Sequence, residues 1–243
     1  MCTVTWRRIP AGYQVFFNRD ELRTREAALP PELNQLNGVR YLSPRLSVTG
    51  GTWLAVNEKG LSIGLLENTE VRAGSRGPGT QSRGNLIPSL MDAATQEEVA
   101  ERLHLHALTA YQPFMLLVWS PDKPVHWHRW DGFRRTASVL ADEDMPVCTS
   151  LFEPEAVATA RRARFQQMVT KHGPATALAL AEYHRSTDSL GGPYSVLMTR
   201  PDAHTVSYSR VTVAADEIKY FYAARCADTF DLPLGKSIQL ALP

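Results

Sequence analysis

The 243-residue chain is 44% hydrophobic and 21% charged, an ordinary globular composition, and long enough for one large domain. A formal charge of +1, with only the scattered doublets Arg7-Arg8, Arg134-Arg135 and Arg161-Arg162, supplies no field to gather nucleic acid or an anionic membrane surface. Three cysteines (Cys2, Cys148, Cys226) without C-x-x-C spacing suit a reducing compartment, and neither a secretory leader nor a bilayer-spanning run of roughly 20 apolar residues is read, so a cytoplasmic protein is expected.

Residues 2–6 alternate around Thr3, Val4 and Thr5. Pro10-Ala11-Gly12 punctuates them, and residues 13–17 have strand composition, so a hairpin is predicted. Residues 22–44, rich in Pro, Asn and Arg, read as a long loop of the kind that carries function. A second hairpin is predicted from strands 50–56 and 61–66 around the turn Asn57-Glu58-Lys59-Gly60. Residues 71–84, with their glycines and arginines, read as a lid. Residues 85–91 and 95–106 read as helices, the second capped by Thr95. Residues 114–119, 125–130 and 133–139 form a predicted meander.

Residues 154–172 give the strongest helical pattern, on Val157, Ala160, Ala163, Arg164 and Met168, and 174–184 a second helix. Strands at 194–199, 204–213 and 218–223 close the chain. Strands joined mainly by hairpins imply antiparallel sheets. About nine of them with two helix pairs imply layered sheets covered by helices, in a single α+β domain over 1–243.

Two features point to chemistry. Removal of Met1 would make Cys2 the N-terminus, placing a thiol and an α-amine on one residue. An α-amine of pKa about 7.7–8.0 can act as general base for its own thiol. The plain alternative is a small buried hydrophobe. The second feature is "FFNRDE" at residues 16–21, where a strand ends on a charge cluster. In a tight hairpin, residues about 16 to 18 positions apart become neighbours, which brings Arg19-Asp20 to Cys2. A guanidinium there favours the thiolate, and a carboxylate can orient an ammonium. The alternative is a surface ion pair of Arg19 with Asp20 or Glu21, worth little energetically.

Cys2, "FFNRDE", "GGTWLAVNEKG" and "SRGNLIPSLM", in that order within residues 1–92, resemble the NRDE-motif family, also called the transport and Golgi organisation protein family. "TSLFEPEAVATARRARF" and "YSVLMTRPDAHTVSYS" extend the likeness. The family resembles N-terminal-nucleophile hydrolases such as bile-salt hydrolase and penicillin V acylase. The resemblance implies a four-layer αββα sandwich of two largely antiparallel sheets. It implies Cys2 as nucleophile with its α-amine as base, Arg19 beside the thiolate, Asp20 on the amine, and Asn18 in the same motif.

It further implies an oxyanion donor at Asn68. A second Asn donor would fall where this chain has Thr149 and Ser150. Glu21, Trp53, Arg76 and Arg83 complete the expected ligand-binding set, the two arginines as lid residues for a carboxylate-bearing ligand. The implied activity is hydrolysis or transfer of a linear acyl-amide, with no cofactor required. The alternative is a non-enzymatic carrier of haem or a lipid-like ligand. The pairs His104/His106 and His126/His128 lack a nearby third ligand, so no metal site is expected. Cys148, Cys226, Tyr220 and Tyr222 read as structural.

Overall fold

The computed structural model describes residues 2–71, 79–173, 176–188, 192–225 and 235–240. Alternation builds the first hairpin as expected, with longer arms: β1 (Cys2–Ile9) pairs antiparallel with β2 (Gly12–Leu22). β2 continues through the charge cluster because β11 (Ala203–Val213) pairs along its other edge. The second hairpin is β5 (Leu54–Asn57) and β6 (Ser62–Glu67). The meander is β7 (Phe114–Ser120), β8 (Lys123–Trp130) and β9 (Arg135–Leu140).

The predicted 22–44 loop is instead a hairpin, β3 (Leu29–Leu36) and β4 (Val39–Arg45). Its turn, Asn37-Gly38, has φ of 47° and 84°, the positive pair that this dipeptide accepts at least cost. Pro30 and Pro31, which argue against a strand, are tolerated because β3 is a sheet edge. Two strands went unforeseen: the short β10 (Val147–Thr149) and β13 (Lys236–Leu240). β12 (Ile218–Ala224) matches its expected position. The expected strand at 194–199 is irregular, apart from a bridge between Thr199 and His204. Its residues are apolar because Val196, Leu197 and Met198 are buried, not because they pair in a ladder.

The strands form a six-stranded sheet, β10-β1-β2-β11-β12-β13, and a seven-stranded sheet, β3 to β9 in sequence order, every pairing antiparallel. Period-two alternation assigns each strand's faces. Val4, Trp6, Val15 and Phe17 of the first sheet share a core with Leu54, Leu117 and Trp119 of the second. Gly64 is needed where the sheets approach, because a Cβ there would lie 2.9 Å from the Trp119 ring.

The outer faces are covered by helices. α1 (Gln96–Leu105) starts where the Thr95 hydroxyl accepts the Glu98 N–H at 3.1 Å, and it packs Val99 and Leu103 on Ile63, Leu116 and Val118. α2 (Pro154–His172) and α3 (Ala177–Arg185) place Phe165, Leu180 and Tyr183 on the six-stranded sheet. The result is the expected αββα layering. Residues 85–91 are not one helix but part of two 3-10 turns, Arg83–Asn85 and Pro88–Leu90; Pro88 supplies no N–H to a longer helix. Half of the expected lid at 71–84, residues 72–78, lies outside the described residues. Among the described residues no helix is long and apolar enough to cross a membrane.

Candidate active site

The strand register builds the site. Cys2 stands opposite Arg19 on β2 and opposite Thr149 on β10. Directly opposed residues of an antiparallel pair share a face, so Cys2, Arg19 and Thr149 turn together toward the seven-stranded sheet. There Cys2 and Arg19 line a cleft of about 310 Å³, together with Trp53, Leu65, Arg83 and Leu151, while Thr149 lies beside Cys2 on β10.

Arg19 is buried. Its guanidinium lies 4.5 Å above the Trp53 ring, and Nη2 donates to Glu21 Oε2 at 2.8 Å. The same Glu21 oxygen accepts Arg25 Nη1 at 3.0 Å, so one carboxylate is shared by two cations. Burial would raise the Glu21 carboxyl, but Arg19, the Leu22 N–H and Arg25 together hold it below its ordinary range. Burial pushes the Cys2 thiol up to about 11, with Arg19 and the Asp20 backbone N–H pulling the other way. Near neutral pH the thiolate is therefore only about one part in 10⁴ of Cys2, and nucleophilic use requires a base.

Asp20 points to the opposite face of β2, toward the helices. Its Oδ2 accepts Arg161 Nη1 at 3.1 Å and its Oδ1 accepts the Thr205 hydroxyl at 2.6 Å. Arg161, delivered from α2 and buried, also donates to the Thr3 hydroxyl at 2.6 Å, and its carbonyl accepts the Tyr183 hydroxyl. The charge cluster that ends β2 is thus divided by alternation: Arg19 and Glu21 face the cleft, and Asp20 is held from behind by a helix.

The other expected residues are placed as follows. Asn18 also faces the helices: its Nδ2 donates to the carbonyls of His184 and Val196 at 2.8 and 3.0 Å, and its Oδ1 lies 3.0 Å from His184 Nδ1. It ties β2 to α3 and to the irregular 194–199 segment. Asn68 does not line the cleft; its Nδ2 donates to the Trp130 carbonyl at 3.1 Å. The Ser150 hydroxyl donates to the Phe152 carbonyl at 2.6 Å and closes a turn. The Thr149 hydroxyl, buried and opposite Cys2, has no hydrogen-bond partner among the described residues. Arg83 pairs with Glu67 at 3.2 Å at the cleft wall. Arg76 lies outside the described residues, as does Cys226.

Neither histidine pair reaches the cleft. His128 Nδ1 contacts Arg135 at 3.2 Å, and burial, with Arg135, holds that imidazole down at about 4. His106 contacts Ser89. Tyr220 and Tyr222 are core residues, as expected. Arg161 and His184 were not singled out from the sequence. A basic residue in the buried stripe Val157-Arg161-Phe165 of α2 is the signal that could have marked the first.

The sequence profile of the family described as Transport and Golgi organisation 2 matches residues 1–226. No curated protein sequence matches the chain. Among solved structures, penicillin V acylase from Agrobacterium tumefaciens superposes with a TM-score of 0.58 at 14% identity, over 99% of this chain and 86% of that one. An N-acylethanolamine-hydrolyzing acid amidase orthologue from Caenorhabditis elegans gives 0.60 at 13%, over 86% and 92%. A variant of conjugated bile acid hydrolase from Clostridium perfringens gives 0.60 at 10%, over 100% and 92%. At these identities the likeness is one of fold.

Proposed function

The chain belongs to the Transport and Golgi organisation 2 family, and from that premise we propose that it hydrolyses or transfers the acyl group of a linear amide through Cys2 once Met1 is removed. The observation that carries the reading is the register. One thiol at the head of a cleft has a guanidinium opposite it on one side and, on the other, a hydroxyl without a partner among the described residues. The three fold neighbours are named for acting on penicillin V, N-acylethanolamines and conjugated bile acids.

In this mechanism the freed α-amine takes the proton of the buried Cys2 thiol, and Arg19 stabilises the thiolate. Asp20, held by Arg161 and Thr205, orients the amine. The sulfur attacks the amide carbonyl carbon. Negative charge moves to the carbonyl oxygen, where the Thr149 hydroxyl donates to it. The C–N bond breaks, the ammonium returns its proton to the leaving amine, and a thioester remains on Cys2. Water, deprotonated by the α-amine, attacks the thioester, releasing the acid and restoring the thiol. Thr149 takes the donor role that the resemblance assigned to Asn68 and to a second Asn.

The haem reading fits the residues poorly. Among the described residues lining the cleft there is no histidine to ligate a haem iron.

The test is a panel of linear acyl-amides assayed for amine release with wild type, Cys2→Ala and Thr149→Val. The reading expects release by wild type, none by Cys2→Ala, and a kcat lowered by about 10²-fold in Thr149→Val. Release unchanged in Cys2→Ala overturns the reading. Absence of turnover together with saturable haem binding supports the carrier instead.

A further inference from the structure

The two sheets have four edges, and three are blunted. β3 carries Pro30 and Pro31 with a register shift between Leu29 and Glu32, and it packs near β12 and β13 of the other sheet. β13, the edge of the six-stranded sheet on that side, packs near β3 and β4 and exposes Lys236. β10 is three residues long and lies against α2. These are the usual devices by which edge strands avoid pairing with other chains.

Among the described residues β9 shows none of them beyond the half-buried Arg135 at its first position. It is six residues long, lacks proline, and pairs with β8 from Arg135 to Leu140 without a register shift. Thr136, Ala137, Ser138 and Val139 are all exposed, so both faces of the strand are open as well as its outer edge. Their side chains are small or β-branched and uncharged, which lets a further strand approach. Two large apolar side chains at this edge are exposed: Phe133 at 76% and Val139 at 58%.

From these features we infer that β9 is a self-association edge, and that a second copy of this chain pairs with it antiparallel about a two-fold axis. The charge pattern selects that partner. Arg134 precedes the strand and Arg135 opens it, and Asp142, Glu143 and Asp144 follow it. An antiparallel second copy lays the basic end of one strand on the acidic end of the other, whereas a parallel one would oppose like charges. An axis at Ser138 sets Arg134 opposite Asp142 of the second copy. It also sets Ala137 against Val139 on one face, twice over, by the two-fold. The seven-stranded sheet then runs on through both copies. An edge of this length buries less than about 1,200 Å² in all, so the association is weak and concentration dependent.

Sedimentation of the full chain up to ~200 µM, a range that detects micromolar affinity, tests the inference. The weight-average mass should rise from 27.1 kDa toward twice that value. Val139→Lys places an exposed charge on the edge and Ser138→Pro inserts a pyrrolidine ring; each should return the protein to monomer. Arg134→Glu should weaken association by at least about tenfold, an effect reduced in high salt. If Ser138→Pro fails to fold, Val139→Lys, with its thermal melt unchanged, decides the matter. A wild type that stays monomeric throughout, or a dimer that Val139→Lys leaves intact, overturns the inference.

Discussion

Replacing Arg161 with Met removes the cation behind the candidate site and leaves the Asp20 carboxylate in the interior. Both side chains are almost wholly buried, and Arg161 bonds Asp20 at 3.1 Å and Thr3 at 2.6 Å. Removing one member of a buried pair costs about 3–5 kcal/mol, since the remaining charge loses its partner but not its burial. For a chain of this size each kcal/mol moves the melting temperature by about 2–4 °C, so Arg161→Met should lower it by about 6–20 °C. Urea unfolding followed by tryptophan fluorescence gives the free energy directly. Arg162→Met is the control, because Arg162, next along the same helix, is exposed. The double variant Asp20→Leu with Arg161→Met should recover much of the loss, since it removes the uncompensated charge. A loss below about 1 kcal/mol, no greater than that of Arg162→Met, would refute the reasoning, because surface changes fall in that range.

Two further outcomes follow from burial. His184, enclosed between α3 and β2, is held down at about 3, first by burial and then by Arg161. The unfolded chain takes up the proton near pH 6.5, and the folded chain does not until about pH 3. Stability is therefore fully present above pH 6.5 and falls as pH drops through that window, by several kcal/mol at the acid end. Melts between pH 7 and pH 4 should show the decline, and His184→Gln should flatten it; a pH-independent melt contradicts the assignment. For Cys2, alkylation by iodoacetamide in chain that retains Met1 should accelerate about tenfold per pH unit up to about pH 10, reflecting a thiol raised to about 11. Arg19→Leu should slow it further, and a rate that already levels off at about pH 9 in the Met1-retaining wild type would show the thiol to be unperturbed.

The first hairpin was legible because a short turn at Pro10-Ala11-Gly12 fixes its register, and register alone carries Arg19 to Cys2. The division of "NRDE" between two faces follows from the same alternation. The partner of Asp20 does not, because Arg161 comes from a helix 141 residues along the chain. The helical pattern chosen for α2 included Ala163 and Arg164, which are exposed; the buried stripe is Val157-Arg161-Phe165, and a cation within it obscures the apolar period. The hairpin at Asn37-Gly38 carried a strong turn signal that was outweighed by two prolines, whose cost disappears at a sheet edge. Asn68 follows the strand as expected, but its amide is used to hold the Trp130 carbonyl, a contact with a strand far along the chain.

Intact mass spectrometry of the purified protein, before and after incubation with a linear acyl-amide panel, tests Cys2 as the N-terminal nucleophile most directly. The account predicts a chain lacking Met1, and an acyl adduct that forms on wild type and is absent from Cys2→Ala. A retained Met1, or turnover that Cys2→Ala leaves undiminished, would contradict it.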